Sequence, residues 1–253
     1  MSDAKKRALQ RVDAHCQLLT FGGIDIVGPD KTPVHDLAAQ TKLVALLVHL
    51  VVAQPRGFHR RDRLLGLLWP ELDDHRARGA LRKAIHLLRK ALGDAVIESR
   101  GDDEIRAAPG MISCDAVEFD DAIEGGRTAR ALELYRGDLM PGFFVHETGE
   151  FDQWVEERRT AYRRQAATAA WILAERSEEA DRATLAADWA RRAVTLAPLD
   201  ERVIRKTLAL LGRIGDRAGA VTLYESFRRQ LVHEYAVEPA PETAMLIKQI
   251  RAR

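Results

Sequence analysis

The sequence predicts a mainly helical protein with a small antiparallel sheet in its N-terminal part and an all-helical second half. Apolar residues recur at helical spacing over most of the chain. Short apolar clusters separated by glycine-containing turns, which are typical of strands, occur only upstream of Gly110. Small or aromatic apolar residues in the second half stand 34 residues apart, the period expected for stacked helical hairpins.

The first half reads, in chain order, as a meander, three helices and a hairpin. Apolar clusters over residues 18–37, interrupted by Gly22-Gly23 and Gly28-Pro29-Asp30, predict a small antiparallel meander. A helix starts near Gln40 and ends before Pro55, and a short helix ends before Pro70. A third helix runs from about Asp74 to Leu92, and the pieces 96–98 and 105–107 predict a hairpin.

The second half is predicted to be helical almost throughout, with short connections. The predicted helices are 117–124, 128–135, 148–176, 181–196, 201–214, 217–234 and 241–251. Within them Ala186, Ala190 and Ala193 lie 34 residues before Ala220, Tyr224 and Phe227, and 34 residues is the period of tetratricopeptide helix pairs. We therefore expect a tetratricopeptide-like repeat domain, with a generic helical bundle as the alternative.

Enzyme and metal motifs are missing from the sequence. No phosphate-binding glycine loop, nucleophile elbow or H-E-x-x-H is present, and no histidine has a second histidine at zinc-ligand spacing. The two cysteines, Cys16 and Cys114, are too few for a disulfide framework. We expect no catalytic residue, no cofactor and no metal. The longest apolar run, Leu43 to Ala53, is well short of the roughly 20 residues that span a bilayer, so we expect a cytoplasmic protein that does not enter a membrane.

The third predicted helix is strongly basic although the whole chain is nearly neutral. The formal net charge is +1, yet the segment from Arg76 to Leu92 contains six Lys or Arg and no acid. Leu81, Ile85 and Leu88 form an apolar stripe on this helix, so the cations share its remaining surface. A solvated basic face and a nucleic-acid-binding face both fit this pattern.

The order of elements favours the nucleic-acid-binding interpretation. A helix, a short helix, a basic helix and a hairpin together form a winged helix-turn-helix, whose basic helix enters the major groove of DNA. Arginine suits contacts both to guanine and to phosphate. On the basic helix the candidates are Arg76, Arg78, Arg82, Lys83, His86, Arg89 and Lys90. The predicted hairpin would be the wing of this fold. Phosphate contacts are expected from two groups: Arg60, Arg61 and Arg63 at the start of the short helix, and Arg100 and Arg106 of the wing.

The motifs of both halves resemble the bacterial transcriptional activator family that includes the Streptomyces antibiotic regulatory proteins. In the first half, Arg61-Asp62-Arg63-Leu64-Leu65 and Ala80-Leu81-Arg82-Lys83-Ala84-Ile85 are similar to that family's OmpR-type winged helix. In the second half, Leu134-Tyr135-Arg136-Gly137-Asp138-Leu139 and Glu150-Phe151-Asp152-Gln153-Trp154-Val155 are similar to its bacterial transcriptional activation domain. The resemblance covers about residues 15–251.

The resemblance implies an OmpR-type winged helix-turn-helix DNA-binding domain (15–110) and a tetratricopeptide-like bacterial transcriptional activation domain (111–253). From the sequence we expect residues 1–14 to be a flexible arm. The resemblance also implies binding to double-stranded promoter DNA at repeats, by a homodimer or by side-by-side copies, and activation through RNA polymerase holoenzyme. Base contacts would then fall on Arg78, Arg82, Lys83 and His86, with Arg89 and Lys90 near the backbone. Two alternatives stay open: a tetratricopeptide-type protein-interaction adaptor, and a ligand-sensing regulator whose winged helix does not read DNA.

Overall fold

The computed structural model describes residues 16–252, so the predicted arm at 1–14 lies outside the described residues. Short strands alternate with helices up to Cys114, and helices follow. The strands are β1 (Cys16–Leu19), β2 (Asp25–Val27), β3 (His59–Arg60), β4 (Ile97–Arg100), β5 (Glu104–Ala107) and β6 (Ile112–Cys114). The helices are α1 (His35–Ala38), α2 (Thr41–Val52), α3 (Arg61–Leu68), α4 (Asp74–Leu92), α5 (Asp115–Glu124), α6 (Thr128–Leu134), α7 (Gly149–Glu179), α8 (Ala183–Leu196), α9 (Glu201–Arg213), α10 (Arg217–Tyr235) and α11 (Pro241–Ala252).

The chain forms two compact units. The first comprises the described residues up to Asp121 together with Leu134–Arg159, and the second comprises Ala122–Glu133 and the described residues from Thr160 onward. Helix α7 therefore contributes its first part to one unit and its remainder to the other. The functional division into residues 15–110 and 111–253 stays a prediction.

The N-terminal sheet differs in part from the predicted meander. Strands β1 and β2 pair antiparallel, as predicted, but β6 pairs parallel with β1 on its other side. The chain after β2 makes only a bridge between Val27 and Pro33 and then forms α1, so the meander does not extend to Leu37. Leu37 is buried, which explains why its apolar character looked like part of a strand.

The predicted winged helix-turn-helix is confirmed. Helices α2, α3 and α4 pack on one another and precede the β4–β5 hairpin. A two-residue strand, β3, joins the hairpin and gives the order β3-β5-β4, all antiparallel. The unit is held by α2, which is buried along most of its length, and by the apolar stripe of α4. Burial of each large aliphatic side chain stabilises such a core by about 1.5–3 kcal/mol.

The second unit consists of stacked helical hairpins. Helix α8 begins one repeat period before α10, and the three predicted repeat pairs, Ala186/Ala220, Ala190/Tyr224 and Ala193/Phe227, are all buried. Helix α9 packs between α8 and α10, and α11 packs against both α9 and α10. The close approach of α9 to α11 depends on Gly212, since a Cβ there would lie 3.0 Å from the Ile250 side chain. The helical-repeat prediction is therefore confirmed.

Between residues 16 and 252, no helix has both the length and the apolar character needed to cross a bilayer.

Candidate nucleic-acid interface

Helix α4 is set in place by its N-terminal cap and by its apolar stripe. The backbone N–H of Arg76 donates to Oδ1 of Asp73 at 2.9 Å, which satisfies one of the free amides at the start of the helix. Gly93 ends the helix with a φ of 104°, a conformation that favours glycine. The buried residues of α4 are Ala77, Leu81, Ala84, Ile85, Leu88 and Leu92. This face fixes the rotation of the helix about its axis.

The opposite face of α4 is exposed and positively charged. Four residues on this face are exposed: Arg82, Lys83, His86 and Lys90. Helix α4 contains no acidic residue from Arg76 to its end. Successive members of this set are one, three and four residues apart, which places all four on one side of the helix. This face combines length, exposure and positive charge, the properties that a helix needs to contact a nucleic acid.

Part of the basic face borders an open depression between α4, the start of α3 and the wing. The depression has a volume of about 600 Å³, and five of the predicted site residues line it. These are Arg61, Arg82, His86, Arg89 and Lys90. Asp94 and Asp102 also line it, so its positive charge is partly offset. The structure thus brings residues from three separate segments of the sequence to one site.

Two arginines of this depression are tied to the wing. The Arg89 guanidinium donates to the backbone carbonyl of Ile97 at 2.8 Å, and that of Arg61 donates to the hydroxyl of Ser99 at 3.3 Å. Arg89 also reaches the same hydroxyl at 3.5 Å. Both guanidinium groups are therefore held close to the hydroxyl of Ser99. A positioned guanidinium loses less side-chain entropy when it binds an anion.

Arg78 is held by two carboxylates. Its Nη2 donates to Oδ1 of Asp62 on α3 at 2.9 Å, and its Nε donates to Oδ2 of Asp74 at 3.0 Å. The pKa of Arg78 is raised above its usual value, mainly by the hydrogen bond that it donates to Asp74 and then by the charges of Asp74 and Asp62. Arg78 remains exposed but is oriented by both partners. The sequence predicts Arg78 as a contact residue but does not show that Asp62 and Asp74 hold it.

The wing arginines make contacts within the wing. Arg100 pairs with Glu104 and Arg106 with Glu98, and in both pairs the partners stand directly opposite each other on β4 and β5. Both guanidinium groups also lie over the ring of Phe58, at 4.4 and 4.5 Å from its centroid. Such cation–π contacts stabilise the hairpin. Neither arginine lines the depression beside α4, and Phe58 was not among the predicted site residues.

The remaining predicted cations surround the start of α3 and α4. Arg60 is exposed and lies 3.8 Å from Asp62, while Arg76 is exposed and lies 3.3 Å from Asp73. Arg63 is exposed, and its charge contributes to lowering the pKa values of His49 and His59. These three arginines do not line the depression.

Two histidines with altered pKa values, His49 of α2 and His59 of β3, were not among the predicted site residues. His49 is buried, and its ring packs against His59 at 5.4 Å and against Trp154 at 4.7 Å between centroids. Burial, followed by the charges of His59, Arg63 and Arg158, lowers the pKa of His49 to about 3. Burial and Arg63 also lower the pKa of His59. The sequence does contain one sign of this pair, because His49 lies within the long apolar run from Leu43 to Ala53.

Comparison with known proteins identifies the family. The model of the bacterial transcriptional activator domain matches residues 114–251. No curated protein matches the sequence. Among solved structures, that of Mycobacterium tuberculosis EmbR in complex with a low-affinity phosphopeptide is similar, with a TM-score of 0.65 and 21% sequence identity. The match covers 94% of this chain and 65% of the EmbR chain, and at this identity it shows a shared fold.

The family match agrees with the resemblance inferred from the motifs of the second half, and the EmbR fold agrees with the predicted fold class. The residues that match the family model begin at β6 and include nearly all of the helices that follow the winged helix. Because this match spans more than half of the sequence, the chain belongs to the bacterial transcriptional activator domain family, a family of transcriptional regulators.

Proposed function

We propose that the chain is a sequence-specific DNA-binding transcriptional activator. Residues 15–110 act as the DNA-binding domain and residues 111–253 as the activation domain. The first binds double-stranded promoter DNA at repeats, as a homodimer or as side-by-side copies. The second contacts RNA polymerase holoenzyme, as the membership of residues 114–251 in an activator-domain family supports.

The exposed basic face of α4 carries this proposal. Arg82, Lys83, His86 and Lys90 are exposed on one side of a helix whose other side is fixed in the core. An α-helix with long donor side chains on one face fits the major groove, where arginine and lysine pair with guanine O6 and N7. Arg82 and His86, near the middle of the helix, are the candidates for base contacts.

The depression beside α4 would receive the DNA backbone. The guanidinium groups of Arg61 and Arg89 are hydrogen-bonded to the wing, and Lys90 lines the same depression. A phosphate that enters there meets donors whose positions are already set, which favours a backbone contact that does not depend on sequence. The carboxylates of Asp94 and Asp102 would repel phosphates and so restrict the path of the strand.

The wing arginines have a different proposed role. Arg100 and Arg106 are engaged with Glu104, Glu98 and Phe58, so a phosphate would have to compete with an ion pair for either of them. We assign them to backbone contacts at the edge of the interface, weaker than those of α4. Arg60, Arg63 and Arg76, which are exposed, would add phosphate contacts around the starts of α3 and α4.

The direct test is binding of the full chain to DNA fragments that it selects from genomic DNA. Fluorescence anisotropy at about 50 and about 200 mM salt should show tight binding to a selected fragment, weaker binding to a scrambled fragment, and a steep loss of affinity at the higher salt concentration. Equal and weak binding to both fragments at low salt would contradict the proposal. It would favour the protein-interaction adaptor instead.

A further inference from the structure

The second unit contains a groove between one face of α7 and the turn that joins α5 to α6. Its volume is about 470 Å³, within the range of small-molecule sites. Ala161, Ala169 and Ile172 give it an apolar wall, and Ile123 contributes from the opposite side. The residues from α7 recur at helical steps, so they form a continuous stripe along the helix.

One residue of the groove wall has a buried hydroxyl without a partner among the described residues. Thr128 lines the groove and is only 6% exposed, and its Oγ1 has no hydrogen-bond partner among the described residues. Buried hydroxyl groups are normally hydrogen-bonded, because an unpaired one loses its contacts with water and gains nothing in return. A polar atom of a bound molecule would supply the missing partner.

The groove wall also contains two arginines that form no ion pair in the described part of the chain. Arg164 and Arg176 line it and are exposed, and neither forms an ion pair within residues 16–252. Other arginines of the same unit do form such pairs, for example Arg213 with Glu178 and Arg228 with Glu238. No acidic residue lines the groove in the described part of the chain. The site therefore suits an anion.

The shape of the groove favours a linear molecule. From Ala161 to Arg176 the helix rises about 22 Å at about 1.5 Å per residue, so the groove is long and follows one helix. Its apolar residues lie along this length, and Arg164 and Arg176 stand on the same wall. A linear molecule with an apolar chain and an anionic end matches both the apolar lining and the charge.

We propose that this groove binds a linear alkyl carboxylate. The chain lies along Ala161, Ala169 and Ile172, and the carboxylate pairs with the guanidinium of Arg164 or Arg176. The hydroxyl of Thr128 bonds an oxygen of the ligand. The two arginines are about 18 Å apart along the helix, and an extended chain advances about 1.1–1.2 Å per bond, so about 15 bonds span the distance between them.

Calorimetric titration of the full chain tests the proposal with three probes: decanoate, 1-decanol and acetate. Decanoate has both the alkyl chain and the charge, whereas each of the others has only one of them. Decanoate should bind at one site, at least tenfold more tightly than acetate and severalfold more tightly than 1-decanol. At least one of the variants Arg164→Gln and Arg176→Gln should weaken decanoate about three- to tenfold and leave 1-decanol unchanged.

Two further variants locate the site. Thr168 is exposed on the groove wall, so Thr168→Trp should fill the groove and remove binding of both alkyl probes without harming the fold. Arg192→Gln is the matched control, because Arg192 is exposed in the same unit and does not line the groove. The proposal is overturned if decanoate does not bind at millimolar concentration, if both arginine variants bind it like the control, or if Thr168→Trp leaves it unchanged.

Discussion

Arg78 of α4 donates to Asp62 of α3 over 2.9 Å, which ties the basic helix to the helix that precedes it. Asp74 holds the same guanidinium from within α4. Two carboxylates thus orient one of the residues expected to contact bases. They also compete with DNA for its charge, so Arg78 can bind a base only in the direction that its partners leave open.

Asp62→Asn tests this role of Arg78. Removing the carboxylate frees one side of the guanidinium and removes a negative charge beside the DNA. We expect affinity for both selected and scrambled fragments to rise about two- to fivefold, with the ratio between the two fragments falling, as measured by fluorescence anisotropy. Glu179→Gln removes an exposed acid of the second unit and should change neither quantity. Weaker binding to both fragments would show that Asp62 is needed for the active geometry.

Lys90→Ala and Arg89→Ala test two roles separately: contact with the DNA backbone, and attachment of the wing to α4. Lys90 is exposed, so its loss should weaken all fragments similarly and lower the salt slope by about 1 without changing stability. Arg89 also donates to the carbonyl of Ile97, so Arg89→Ala should in addition cost about 1–2 kcal/mol of unfolding free energy. Thermal unfolding of both variants provides the check. An unchanged stability for Arg89→Ala would mean that this hydrogen bond does not hold the wing.

Asp115 should be essential for the stability of the first unit. Its buried carboxylate accepts from the backbone N–H groups of Thr20, Phe21 and Ala116 and from the Thr20 hydroxyl, at 2.7–3.0 Å. Asp115→Ala leaves these donors unpaired, so we expect a loss on the order of 3 kcal/mol in urea denaturation. Glu124→Ala removes an exposed acid as the control. A cost below about 1 kcal/mol would contradict the role assigned to the carboxylate.

His49 should make stability fall in acid. The pKa of His49 is about 3 in the folded protein, below the ordinary value of 6.5, so between these values the unfolded chain binds more protons. Stability contributed by the neutral ring is complete above pH 6.5 and is lost as pH falls toward 3. At pH 5 the loss is about 2 kcal/mol relative to neutral pH.

Urea denaturation of the wild type and of His49→Leu at pH 7 and pH 5 measures how much His49 contributes to the pH dependence of the unfolding free energy. His49→Leu should lose less stability between the two pH values than the wild type does. His146→Gln, which changes an exposed histidine, should behave like the wild type. Identical pH dependence in the wild type and His49→Leu would rule out His49 as the source.

Long elements with a regular pattern were predictable, whereas short and non-local ones were not. Helix α4 matched its prediction from Asp74 to Leu92 because an Asp cap, an apolar stripe and a final glycine all mark it in the sequence. Strand β3 is too short to show any periodicity, and β6 is defined by its pairing with β1, which lies far away in the sequence.

The site was predictable as a set of cations on one helix, but its partners were not. Phe58 under the wing arginines and Ser99 beside Arg61 and Arg89 belong to the site only because the β3-β5-β4 sheet brings them there. The groove along α7 could not be predicted either, because the sequence does not show which arginines form ion pairs in the folded chain.

The ratio of affinities for a selected and a scrambled DNA fragment, measured for the wild type and Arg82→Ala, tests the central claim most directly. Arg82 is exposed on α4, lines the depression, and forms no ion pair within the described residues. If α4 reads DNA, Arg82→Ala should cost about 1–3 kcal/mol on the selected fragment and reduce the ratio, with Arg192→Ala behaving like the wild type. An unchanged affinity and an unchanged ratio for Arg82→Ala would contradict the assignment of α4 as the reading helix.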